Sequence, residues 1–243
     1  MNINATKAFS LDDAWRTAMT ICIQRGHDYI VEGGSYMGQI RRQLKMFAIE
    51  ISNPGSRPLA PILPPSIPAP TSEDKICEYF ICYIVGTEKA ENEDYTYGQF
   101  IAPQMDRILE LLRSSGGYTN QATINIGNEW SSLLDDPPCL RCISFKVVDR
   151  YLDMFAYFRS WDLFGAFSEN LGGLQLLKEL VLTYLSLNKS TKDVRDGSIY
   201  AVSDGLHLYE QYFNLADCLN TSKIVLSTSI MEKKKRYEEE NGI

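Results

Sequence analysis

Residues 57–70 carry six prolines in fourteen positions, and no other run limits the fold of this chain so strongly. Proline fixes φ and has no backbone N–H to donate, so the run can be neither a regular helix nor a central strand. It is also too short and too apolar for a linker between domains. An extended segment lying against the core is the expectation. The 243 residues suffice for one large domain or two small ones. Apolar residues at 44% and charged residues at 23% are ordinary for a soluble globular chain.

The segments around this run mix two periodicities. Ser10 followed by Asp13 opens a helix, with Trp15, Ala18, Met19 and Cys22 at helical spacing. A strand is expected at 46–51, stopping at Asn53-Pro54-Gly55. Ser72 caps a second helix that runs to Gly86, residues 93–98 form a polar turn, and 104–113 form a third helix. Strands are expected at 122–126, 141–148 and 151–158, the last two joined by a hairpin break at Asp149-Arg150. A long, strongly apolar helix follows at 171–187, then a short strand at 198–203 and a helix at 206–219. The tail, 230–243, contains Lys233-Lys234-Lys235-Arg236 and then Glu238 to Glu240, so it is expected to be solvated and mobile. Strands and helices intermix without βαβ regularity. That points to an α+β fold in a single domain over 1–243, a mixed twisted sheet covered by helices.

The formal charge of −7 disfavours a nucleic-acid partner, which calls for a basic face. No run approaches the roughly 20 apolar residues needed to cross a bilayer, and the first residues lack the apolar stretch of a secretory signal. Six cysteines are scattered among apolar neighbours. Cys139 and Cys142 have C-x-x-C spacing, but a zinc site would want a second Cys/His pair and a redox pair would open a helix rather than a strand. No metal is expected, and the compartment is read as reducing and cytoplasmic.

Four segments carry chemistry. In Asp135-Asp136-Pro137-Pro138-Cys139 two prolines fix the backbone entering a strand. The thiol, beside Arg141 and within reach of Arg159 through the fold, is either a buried strand cysteine or a nucleophile whose thiolate a guanidinium favours. In Arg159-Ser160-Trp161-Asp162 a planar fork and a hydroxyl suit a phosphate, though an Arg–Asp salt bridge is the plainer reading. Glu78 is the only charge in the run 76–85, so it is either a carboxyl of raised pKa that moves protons or an exposed residue on the helix's outer face. In Gly205-Leu206-His207-Leu208-Tyr209 a His and a Tyr two apart can reach one ligand.

Together these segments resemble thymidylate synthase. The shared marks are Pro138-Cys139, Arg159-Ser160-Trp161-Asp162, an asparagine eleven positions after the arginine at Asn170, and His207-Leu208-Tyr209. The likeness covers roughly residues 70–220 and is closest to the short archaeal-type members. It implies that Cys139 attacks C6 of a pyrimidine nucleoside monophosphate, so that C5 takes a one-carbon unit from 5,10-methylenetetrahydrofolate. Glu78 would organise proton transfers, and Tyr97 would assist removal of the C5 proton. Arg159 and Ser160 would hold the 5′-phosphate, Asn170 the base edge, and His207 with Tyr209 the sugar. Asp162, with Glu78 and Gly173, would meet the folate. The family also implies a homodimer packed through its sheets.

The chain departs from the family pattern in several places. Thr119-Asn120-Gln121-Ala122 stands where a pair of phosphate-binding arginines is usual, leaving Arg41, Arg42, Arg57 and Arg141 as substitutes. Leu140 and Phe158 replace the usual histidine and glutamine. The tryptophans that wall the folate site and the apolar closing tail are missing. The leading expectation is conversion of dUMP to dTMP. The alternative is a hydroxymethylase acting on dCMP, CMP or dUMP, and a third reading is a nucleotide or RNA binder without turnover.

Overall fold

The computed structural model describes residues 3–34, 36–91, 93–219 and 226–242. Along the chain run β1 (Asn4–Ala8), α1 (Leu11–Arg25), β2 (His27–Ile30), β3 (Ile40–Gln43), β4 (Phe47–Ile51) and α2 (Glu73–Tyr79). Next come α3 (Gly98–Ser114), β5 (Thr123–Asn125), β6 (Leu140–Val148), β7 (Tyr151–Phe158) and β8 (Trp161–Asp162). The rest are α4 (Phe167–Ser186), β9 (Arg195–Ser203), β10 (Leu206–Tyr209), α5 (Phe213–Leu219) and α6 (Thr228–Asn241). The α+β expectation holds, with both parallel and antiparallel pairs.

Two sheets share the strands. The larger has the order β1-β4-β9-β7-β6-β5 and the smaller β2-β3-β10-β8. Pairing is parallel for β1–β4 and β7–β9 and antiparallel for β4–β9, β6–β7 and β5–β6. The β6–β7 hairpin turns at Asp149 and Arg150, both left-handed at φ 49° and 68°, as a two-residue turn matched to strand twist requires. Two neighbouring strands then leave the large sheet together. β7 passes through Arg159-Ser160 into β8, β9 passes through Asp204-Gly205 into β10, and β8 and β10 pair again in the small sheet. The links touch: a side chain at Gly205 would stand 2.9 Å from the Arg159 carbonyl oxygen, so only glycine fits there. Two of the segments singled out from the sequence, 159–162 and 205–209, therefore meet at the step between the sheets.

The core lies between one face of the large sheet and the helices. Helix α4 packs on β7 and β9 and is flanked by α1, α2 and α3. Being covered on so many sides explains its apolar residues around most of the circumference. Leu171, Leu174, Leu177, Val181 and Leu185 are all fully buried on it. On the opposite face of the large sheet Val148, Tyr151, Phe155 and Tyr200 are exposed. Among the described residues no helix is long and apolar enough to cross a membrane.

Two expectations need correction, over 206–219 and over the proline run. The first residues of 206–219 form β10 rather than helix. All four are buried, between β3 and β8, so they show no period-2 alternation. The tail is a largely exposed helix from Thr228, capped by the Ser227 side chain, and α6 lies against β2 with Ile230 buried. The proline run lies against the core only at its start. Leu59 and Ala60 are buried, Ala60 N donates to Glu73 Oε1 at 2.6 Å and Ile62 N to Asp12 Oδ1 at 3.1 Å, tying α2 to α1. Residues 62, 64–66, 68 and 69 are exposed.

Candidate active site

A cleft of about 550 Å³ opens where the two sheets part, a size usual for small-ligand sites. Of the ten residues singled out from the sequence, eight line it: Cys139, Tyr97, Arg159, Ser160, Asp162, Asn170, His207 and Tyr209.

Cys139 precedes β6, half-buried. The two prolines before it position an arginine. Their carbonyls lie outside any strand ladder, and Arg159 Nε donates to Pro138 O at 3.1 Å while its Nη2 donates to Pro137 O. The Arg159 backbone N–H donates to Cys139 O at 2.9 Å, and Leu140 N donates to the Tyr97 hydroxyl at 3.2 Å. Burial pushes the thiol pKa up; Arg159 and Arg41 pull it down, Asp136 and Asp162 push it up, and the net direction is upward. The arginine acts as expected, but desolvation outweighs it. Arg141 does not supply this charge: its guanidinium lies by Gly127 and acts on Tyr157.

The four substitute arginines are now distinguishable. Arg42 is buried in a bidentate pair with Asp28 at 2.7 Å on both oxygens, and Arg57 pairs with Glu179 at 2.8 and 2.9 Å. Arg41 lines the cleft. It lies opposite Tyr209 in the β3–β10 pair, holds its guanidinium carbon 4.8 Å from that ring's centroid, and donates to the hydroxyls of Tyr209 and Tyr29. Its Nε is buried with no partner among the described residues.

His207 is buried on β10, its Nδ1 at 2.8 Å from Gly205 O. A carbonyl only accepts, so Nδ1 carries the hydrogen and Nε2 presents a lone pair. Nε2 is buried without a partner among the described residues. Burial, with the Arg41 charge adding to it, pushes the imidazole pKa down to about 3, so the ring stays neutral. Tyr209 stacks on Tyr36 at 3.8 Å and meets His207 edge-on at 4.8 Å.

Asn170 opens α4, buried. Its Oδ1 accepts from the Trp161 indole N–H at 3.1 Å and its Nδ2 donates to the Tyr79 hydroxyl at 2.8 Å. Asp162 Oδ1 accepts from Phe164 N and Gly165 N, both at 3.0 Å. Burial still raises the Asp162 pKa above the ordinary carboxylate value, against those two bonds and Arg41.

Glu78 and Gly173 stand elsewhere. Glu78 is exposed: α2 turns Ile76 and Tyr79 inward and Glu78 projects from the outer face, the second of the two readings the sequence allowed. Gly173 packs against Tyr79, where a Cβ would meet the ring at 2.7 Å; it makes room for an aromatic side chain rather than for a ligand. Sequence reasoning missed Glu169, Tyr79 and Tyr83, which also line the cleft. Glu169 accepts from buried Thr71 Oγ1 at 2.9 Å. Its position beside Asn170 was the available signal. Tyr79, Tyr83 and Tyr97 form an aromatic wall, with Tyr79–Tyr83 stacked at 5.5 Å and Tyr83–Tyr97 edge-on at 5.2 Å.

Comparison with curated proteins gives relatives of similar length. A protein of Methanosarcina mazei is 26% identical over 219 residues, covering 87% of this chain and 92% of its own length. One of Methanosarcina acetivorans is 27% identical over the same shares. Both carry the name "Putative thymidylate synthase". A deoxyuridylate hydroxymethyltransferase of Bacillus phage SP01 is 36% identical over 86 residues, 35% of this chain and 20% of its own. No family model matches the chain.

Proposed function

Since the chain belongs to the thymidylate synthase-like superfamily, we propose that it transfers a one-carbon unit to C5 of a pyrimidine nucleoside monophosphate, converting dUMP to dTMP. The observation that carries this reading is the shared cleft: Cys139, backed by Arg159, faces the same space as Asn170 and the neutral His207. Cys139 adds its sulfur to C6 and the ring's electron pair moves towards C5 and O4, which makes C5 nucleophilic. The thiol proton must leave first. It passes to solvent water, and the positive charges of Arg159 and Arg41 favour the thiolate left behind against the effect of burial.

Arg159, Ser160 and Arg41 hold the phosphate, and the Arg41 Nε, buried without a partner among the described residues, supports this for Arg41. His207 Nε2 accepts from the sugar hydroxyl beside Tyr209. Tyr97 takes the C5 proton onward, a role its bond to the strand next to the nucleophile supports. We assign to Glu169 the proton-organising role that exposed Glu78 does not fit. The residues suit a flat folate ring: the tyrosine wall supplies faces, and Asp162 keeps Oδ2 for a ring donor while Oδ1 takes two backbone N–H groups. When bound, 5,10-methylenetetrahydrofolate supplies the carbon unit and, for a methyl product, the hydride. The exposed, largely aromatic face of the large sheet supports a homodimer packed through that face.

The phage relative's name favours one second reading, hydroxymethyl transfer, in which water instead of hydride reaches the exocyclic carbon; dUMP, dCMP and CMP are its substrates to compare. Mass analysis of the product from dUMP, dCMP and CMP, each with the folate, decides. A methylated uracil nucleotide supports the first reading. A hydroxymethylated product supports the second, and no modified base from any of the three nucleotides overturns both.

A further inference from the structure

We propose that Trp161 is the positioning residue that sets base choice, by locking the Asn170 side-chain amide in one orientation; this rests on the pyrimidine reading above. An asparagine amide carries an acceptor at one end and donors at the other, and a half-turn about its last bond exchanges them. Uracil offers N3–H and O4 along its edge, cytosine N3 and an amino group, so the patterns are reversed. With the nucleotide pinned at its phosphate and at C6, a freely turning amide reads either base. A fixed amide reads one.

The two neighbours of Asn170 differ in what they tolerate. The indole N–H of Trp161, 3.1 Å from Oδ1, is a donor only. Turning the amide would bring Nδ2 against it, donor facing donor, in a site where Trp161 is 1% and Asn170 9% exposed. The Tyr79 hydroxyl, 2.8 Å from Nδ2, both donates and accepts, and it would adapt by rotating its hydrogen. Trp161 itself cannot swing away. Its ring stacks on Phe158 at 4.1 Å and against Phe167 at 4.3 Å, and its backbone N–H is held by Gly205 O at 3.0 Å. Once both bonds are made, Oδ1 keeps one lone pair and Nδ2 one hydrogen, enough for a two-point contact with one base edge.

A misaligned buried donor lowers the affinity for the disfavoured base by roughly five- to a hundredfold. The test is calorimetric titration of the full chain with dUMP and with dCMP, without folate, for the native protein, Trp161→Phe and Tyr79→Phe. A fourth protein carries β-(3-benzothienyl)alanine at position 161, which exchanges the indole N–H for sulfur in a ring of the same shape and so keeps the packing. The lock predicts a clear preference in the native protein, a ratio about tenfold closer to one in both position-161 variants, and an unchanged ratio in Tyr79→Phe even if both affinities fall. A native protein that binds both nucleotides equally, or a benzothienyl variant that keeps the native ratio, overturns the lock. Binding of neither nucleotide by the native protein instead overturns the nucleotide reading itself.

Discussion

Cys139 sits under opposed influences: two guanidinium groups favour its thiolate while burial and two aspartates disfavour it, and the second set prevails. A thiol of raised pKa is less open to adventitious oxidation than a thiolate. If Glu169 moves protons in the reaction, Glu169→Gln lowers kcat by about 10²- to 10⁴-fold, the range typical of a lost general acid or base. Glu78→Gln, at an exposed position outside the cleft, changes kcat by less than about threefold. Steady-state rates of the two variants check this, and the reverse ranking returns the role to Glu78.

At the scale of elements, the site depends on how closely α2 approaches α4. Gly172 and Gly173 let Ile76 and Tyr79 lie against the helix backbone, and Tyr79 then reaches Asn170. Gly173→Ala would gain up to about 1 kcal/mol of helix propensity. It would also force the Tyr79 ring away from contacts of 2.7 and 2.9 Å in a filled interior. Overpacking of that kind costs about 1–3 kcal/mol, so the variant is expected to unfold at lower denaturant and to bind nucleotide more weakly. A midpoint equal to the native one would show that the helices separate without cost. Elements with regular alternation, such as β7, were legible in the sequence because one face of the strand is buried and the other exposed. β10 was not, since burial on every side erases the pattern. β3 was hidden for a different reason: Arg41 and Arg42 look like surface residues until Tyr209 and Asp28 are seen to receive them. Glu78 and Glu169 show the same limit for the site, because a helix's phase decides which neighbour of a motif residue faces the cleft.

For the whole molecule, the neutral His207 links folding to pH. Its folded pKa of about 3 lies below the ordinary value near 6.5, so between those values the unfolded chain binds a proton that the folded one refuses. Stability therefore falls as pH drops from about 6.5 towards 3, by at most a few kcal/mol from this group at about 1.4 kcal/mol per pH unit. His207→Gln is expected to flatten that part of the urea-midpoint profile, and a profile as steep as the native one would assign the loss to other groups. Two strands step from one sheet into another beside one cleft, which residues 139, 159–162, 170, 207 and 209 line. The central claim is that the sulfur at 139 bonds to a pyrimidine carbon there. Incubation with 5-fluoro-dUMP and 5,10-methylenetetrahydrofolate, followed by denaturing mass spectrometry and peptide mapping, tests it directly. The account predicts a covalent adduct on Cys139 that is absent from Cys139→Ser. A native protein that forms no adduct, or an adduct that persists in Cys139→Ser, would contradict it.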